Sequence, residues 1–239
     1  MNASFRPGSQ PRYVGAAVGS DPLALGVGLR NNSLNTRFGD WMGKKKVGCS
    51  VDPISLTLDT NCIYELESPA SAEYLQRMRK LTQRKVITLR FPAIAASERQ
   101  RTAGRLPNFR IFRERMENLD LGDIELLRPL AYVGMHYVGW AIIVGPENRK
   151  VEQRIHEILF PQIAFEASEH CARDDVRGRV QWRNAKCDVL AMWCHVKYAG
   201  DIFVTQDRNF LKQSKKPRLE ALGARTIASL EQAIRIVGG

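Results

Sequence analysis

Four carboxylates, Asp59, Glu98, Asp188 and Asp207, stand where strand-like and helix-like segments meet, and could share one pocket. Asp59 directly follows the apolar run Ile54 to Leu58. Asp207 follows Asp201-Ile202-Phe203-Val204-Thr205 with only Gln206 between. Both are expected at strand C-termini, and in a parallel sheet those ends share one edge, where ligand crevices form. Asp188 is expected about one turn into a helix, and Glu98 in a helix opened by Pro92. Carboxylates crowded together repel, and burial raises the cost, so such a cluster retains protons or binds a divalent cation. An all-oxygen donor set suits Mg2+ or Mn2+. Such an ion lowers the pKa of a water, orients it for in-line attack and stabilises charge developing on a phosphate. The chemistry implied is phosphodiester hydrolysis.

Each acid also has a plainer explanation. Asp59 with Thr60 and Asn61 could cap a helix, and Asp207-Arg208-Asn209 could form a turn at a helix start. Asp188 could complement a helix dipole, and Glu98 could pair with Arg101 at i, i+3. These explanations leave the meeting of all four at one edge to coincidence.

The elements that must position them alternate from residue 54 onward. Strands are expected over 54–58, 86–89 and 201–205. Helices are expected over about 70–83, 92–103, 108–118, 147–160 and 184–199. The alternation predicts βαβ units and a mainly parallel sheet. Asn184 is the expected N-cap of the last of these helices, with Val189, Met192, Trp193 and Val196 on one face and Gly200 placed to end it. The stretch 130–145, with Tyr137, Val138, Trp140, Ile142, Ile143 and Val144, reads as a buried strand or hairpin. Broken by His136, Gly134 and Gly139, it is too short and too polar to span a membrane. Residues 1–53, rich in Gly, Ser, Asn and Pro, read as an extension. Residues 54–239 read as one domain with an insertion around 105–180.

A net charge of +11 favours polyanionic partners, nucleic acid first, although a basic surface also serves solubility alone. The first fifty residues contribute through Lys44-Lys45-Lys46, a run that suits phosphate contact or a solvated tail. Five cysteines without a Cys-x-x-Cys pair suggest neither a disulfide framework nor a zinc ribbon, and fit a reducing compartment. His170, Cys171, Cys187, Cys194 and His195 could form a zinc site only at spacings unlike the usual ones. The apolar stretch 13–18 is too short for a signal peptide; no acid precedes Asp21, which leaves an organellar transit segment open. Arg99, Arg101, Arg105, Arg110, Arg113 and Arg115, interleaved with Phe109 and Phe112, suit one wall of an RNA groove or a solvated face paired to Glu114 and Glu117. His170, Asp174 and Asp175 read as caps or surface residues, or as an extension of the pocket.

Leu58-Asp59-Thr60-Asn61 resembles the opening motif of the PIN-domain nucleases, and Asn184 through Ala191 resembles their third. Gly200 through Phe210, with its strand and Thr-x-Asp, is the closest match, to the fourth motif. Leu222-Gly223-Ala224 to Ile227 resembles the final strand, and Phe91-Pro92 through Ser97-Glu98 the second motif. The resemblance covers roughly residues 54–235. It implies an α/β, PIN-like three-layer fold with a mainly parallel, about five-stranded sheet flanked by helices. It also implies Asp59, Glu98, Asp188 and Asp207 as catalytic, metal-binding acids for Mg2+ or Mn2+, with Asn61 and Thr205 in support. The implied substrate is RNA, with DNA left open, and Arg99, Arg101, Arg105 and Arg110 would bind it. An antitoxin-like protein partner, a homodimer and a cytoplasmic setting without a membrane belong to the same expectation. The N-terminal extension and the long interval between Glu98 and Asp188 depart from a minimal toxin. A PIN fold without turnover, serving as an RNA-binding or protein-interaction scaffold, is the alternative. A haloacid-dehalogenase-like phosphatase needs a second Asp where Asn61 stands, and no Gly-x-Gly-x-x-Gly follows the first strand as a Rossmann protein requires.

Overall fold

The computed structural model describes residues 52–238 except 101–103, 107, 122 and 123. Strand β1 (Ile54–Leu58) is buried along nearly its whole length, as expected of a central strand covered on both faces. It pairs in parallel with β2 (Ile87–Pro92) on one side and with β6 (Ile202–Val204) on the other. The pairing Ile54 with Ile87 and Leu56 with Ile202 sets the register. Beyond them lie β5 (Glu125–Leu127) and β7 (Thr226–Ala228), giving the order β5-β2-β1-β6-β7. All four pairings are parallel, so the main sheet is wholly parallel.

Alternation along the strands feeds two cores. Leu56, Leu58, Leu89, Phe91, Ile202 and Val204 pack with residues of α1 (Thr60–Leu66), α2 (Ala72–Gln83), α3 (Phe109–Asn118) and α9 (Leu230–Gly238). Phe203, Leu127 and Ile227 pack with α4 (Pro146–Leu159) and α6 (Val176–Lys197). The result is a three-layer α/β fold. The chain runs outward from β1 through β2 to β5, then returns to place β6 on the other side of β1. The order therefore reverses between β1 and β6, and the crevice outside their C-terminal ends is the usual ligand site of an open α/β sheet.

Several expectations are corrected. The segment after Pro92 does not continue as a helix to residue 103. It makes a short 3-10 turn, Ala93–Ser97, leaves it extended at Glu98 (φ -72°, ψ 157°), and enters a small hairpin, β3 (Arg99–Gln100) with β4 (Gly104–Arg105). The long interval also supplies β5, a strand of the main sheet that its three residues are too few to announce. Asn184 is no N-cap: α6 starts at Val176, where the Asp175 carboxylate accepts a bond from Gly178 N at 2.9 Å. Gly178 and the arginines around it hid those first turns. The stretch 130–145 is neither a buried strand nor a hairpin. Gly134 and Gly139 take φ 74° and 83°, and only one β-bridge, Leu130 to Ile142, ties it. Val133, Val138 and Ile143 are almost fully exposed, whereas Trp140 stacks on Phe109 at 4.0 Å.

Helix α6 ends as expected before Gly200, but the left-handed residue is Ala199 (φ 48°). Gly200 serves close approach instead, since a Cβ there would lie 2.3 Å from His195 Nδ1 and 2.8 Å from Thr57 Oγ1. Among the described residues no helix is long and apolar enough to cross a membrane. Residues 1–51 of the extension expected over 1–53 and Arg101 lie outside the described residues, as do the side chains of Arg99 and Arg105.

Candidate functional site

Asp59 leaves the end of β1 with its backbone N donating to Val204 O of β6 at 2.9 Å, which locks it into the crevice between the two strands. Its carboxylate is 2% exposed. Oδ1 accepts from Thr60 N at 2.8 Å; Oδ2 accepts from Thr205 Oγ1 at 2.7 Å and Asn61 Nδ2 at 3.2 Å. Thr205, the residue after β6, is fully buried and also accepts from Asp207 N at 3.0 Å. One hydroxyl thus orients the first acid and the backbone of the fourth. Asp207 caps the short helix α7 (Arg208–Leu211), its Oδ1 accepting from Asn209 N at 2.7 Å. Capping is therefore real at both positions. It occupies Oδ1 of Asp207, so a cap and a site residue are not exclusive there.

Glu98 and Asp188, both half-buried, join from the two elements that overhang this edge. Glu98 follows the 3-10 turn and takes a hydrogen bond from the Thr60 side chain. Asp188 lies twelve residues after the start of α6, not one turn in. At 22 residues the helix is roughly 33 Å long, about twice the length of a five-residue strand, so its middle reaches the edge. This position removes the helix-dipole explanation of Asp188, because that effect fades beyond the first turn. Arg183 donates to Gly134 O at 2.6 Å and Met135 O at 3.2 Å, with a longer contact to Ser97 O, and so ties the stretch before Glu98 to α6.

The four acids feel one another. Burial raises Asp59 to about 6, helped by the Asp207 charge and opposed by the bonds from Thr205, Thr60 and Asn61. Burial and then Asp59 push Glu98 to about 8. Asp188 is held well above the usual carboxylate range by burial and by the charges of Glu98, Asp59 and Asp207. The structure brings together every acid expected at the site, along with Asn61 and Thr205.

The donor chemistry fits a hard divalent cation, being oxygen throughout. Among the described residues no three His, Cys, Asp or Glu side chains close into direct metal-ligand geometry. A zinc site finds no support: His195 engages Thr57 Oγ1 and Ala224 O through its two ring nitrogens, and Cys187 and Cys194 are buried.

A cleft of ≈ 900 Å3 opens directly beside the acids, with Asp207 and Asn61 in its lining. On the other flank of Asp207, Lys215 donates to Asn209 Oδ1 and Leu159 O, both at 2.5 Å. Burial lowers its pKa, as do the nearby charges of Lys212 and Arg218, while Asp207 raises it. This basic group was missed from sequence, although the run Lys212 to Arg218 follows closely on Asp207. The arginine wall fares differently. Arg110 and Arg113 are exposed on α3 and pair with Glu114 and Glu117, while Phe109 and Phe112 lie in the core, where no base can stack on them.

Comparison of the chain with protein-family models, with curated proteins and with solved structures gives no match.

Proposed function

We propose that the protein is a metal-dependent endoribonuclease of the PIN type, hydrolysing RNA phosphodiester bonds at Asp59, Glu98, Asp188 and Asp207. The observation that carries this reading is the convergence of four mutually repelling carboxylates, from four separate chain segments, on the switch point of a parallel sheet. Folding crowds these groups at a cost that a bound cation relieves. Bound Mg2+ or Mn2+ supplies the charge and the activated water for attack on phosphorus. The chain's own part is orientation: Thr205 and Asn61 hold Asp59, and Thr205 also fixes the backbone at Asp207. Lys215 and Arg208 offer positive charge to the phosphates on either flank. A cytoplasmic setting, an antitoxin-like partner over the acidic edge and a homodimer are further parts of this proposal.

A labelled mixed RNA pool, with a matched DNA pool, is incubated with Mn2+, Mg2+ or EDTA. Metal-dependent cutting of RNA is expected in the wild type. Asp59→Asn and Asp207→Asn are expected to lose at least the roughly 100-fold that even the outer partners of a metal ligand carry. Tight RNA binding without cutting would favour a scaffold, and cutting of DNA alone would correct the substrate.

A further inference from the structure

The cleft beside the acids has a composition that phosphate binding does not explain. Its lining includes Tyr64, Glu65, Gln206 and Arg208. Glu65 places a carboxylate in a cleft that opens toward a polyanion site, where it opposes phosphate. A carboxylate accepts hydrogen bonds and donates none, so what it favours is a neutral group rich in N–H donors. Gln206, the residue between Thr205 and Asp207, donates Nε2 to Glu65 Oε2 and so couples the carboxylate's orientation to the segment that carries the fourth acid.

Tyr64 has its own support. The Arg115 guanidinium sits 4.5 Å from the centroid of its ring, and Arg115 is in turn ion-paired with Glu67. An aromatic ring held this way loses little freedom when a second flat group packs on it. Arg208, exposed at the cleft, can meet the backbone of a strand whose base is inside.

We propose that this cleft seats a guanine base of single-stranded RNA, with Tyr64 as the stacking face and Glu65 accepting from its Watson–Crick edge. Guanine presents two adjacent donors there, N1–H and the N2 amino group. Adenine and cytosine set a ring acceptor beside their one exocyclic donor, and uracil sets carbonyls on both sides of its N3–H, so each would face the carboxylate with a repelling atom. Single strands expose this edge and duplexes do not. The choice of RNA rests on the nuclease reading; the choice of base rests on the cleft.

The test is binding, read separately from cutting. Fluorescence anisotropy in EDTA at one fixed salt concentration compares short labelled oligouridines carrying a central guanosine, a central inosine or neither. The guanosine oligomer is expected to bind roughly ten-fold or more tightly, the discrimination a two-bond contact to a base provides. Inosine, which lacks the N2 amino group, should lose most of that gain, and Glu65→Gln should abolish it, leaving the guanosine and uridine oligomers equally bound whatever affinity the lost charge adds to both. Equal binding of all three oligomers by the wild type, or a guanine preference that survives Glu65→Gln, would overturn the proposal. Guanine-selective binding without any metal-dependent cutting would remove the nuclease reading and keep the subsite. Cutting with equal binding would do the reverse.

Discussion

Two of the charged residues on helix α6, Lys186 and Asp188, have surroundings that treat charge in opposite ways. Lys186 is completely buried, yet its ammonium meets Glu152 Oε1 of α4 at 2.9 Å and lies 3.8 Å from the Phe165 ring centroid, with the Tyr132 and Trp182 rings also close. Tyr132 completes the arrangement by donating to the same Glu152 oxygen at 2.6 Å. That region carries its own counter-ion and is closed. Two residues along, Asp188 faces three further acids, and burial and repulsion drive its pKa upward. A buried pair fastens α4 to α6, whereas a cluster of one sign stores a cost that an incoming cation can relieve.

The comparison breaks most visibly at Lys186. Lys186→Met leaves Glu152 as an uncompensated buried charge and is expected to cost about 3–5 kcal/mol in denaturant unfolding, while Lys186→Met combined with Glu152→Leu should lie much closer to the wild type. At the acid cluster the sign should invert. Asp188→Asn removes an acid that must either keep its proton or repel its neighbours, and is expected to stabilise the protein in EDTA at alkaline pH by roughly 0.5–2 kcal/mol, at the expense of activity.

The same cluster makes stability depend on pH. Asp59 rises from 3.8 to about 6 and Glu98 from 4.5 to about 8, so the folded protein holds protons that the unfolded chain has already shed. In EDTA the melting temperature should therefore fall as pH rises from about 4 to about 8. Mn2+ should restore it most at the upper end, and Asp188→Asn should flatten the slope. A melting temperature flat across this range, unmoved by Mn2+, would contradict the picture of a strained anionic cluster. The smallest effect belongs to α3: Arg110→Ala should change stability by less than about 0.5 kcal/mol, because its partner Glu114 is an exposed i, i+4 neighbour. Its RNA affinity, measured by anisotropy, should fall less than that of Arg208→Ala.

Much of the site was legible because two of its acids lie next to strands. Asp59 and Asp207 follow β-branched or apolar runs within two residues, so the strand ends placed them, and Thr205 and Asn61 came with them. Glu98 and Asp188 were legible as acids, but their settings were not. The turn before Glu98 is 3-10, and α6 begins at Val176, behind Gly178 and a series of arginines that break any apolar stripe. The stretch 130–145 has the composition of a strand, but glycines at positive φ fold it into turns against α3.

By itself the sequence determined the alternation of strand and helix, a parallel sheet, and the residue types that could meet at its edge, because periodicity and turn chemistry are local properties. Only the tertiary structure decided that β6 returns beside β1, which creates the crevice, and that an overlong α6 carries Asp188 to it. It also decided that Phe109 and Phe112 belong to the core and that Lys186 finds Glu152. Each of these depends on which faces pack together across long stretches of chain, and burial of that kind leaves no mark on the residues' immediate neighbours.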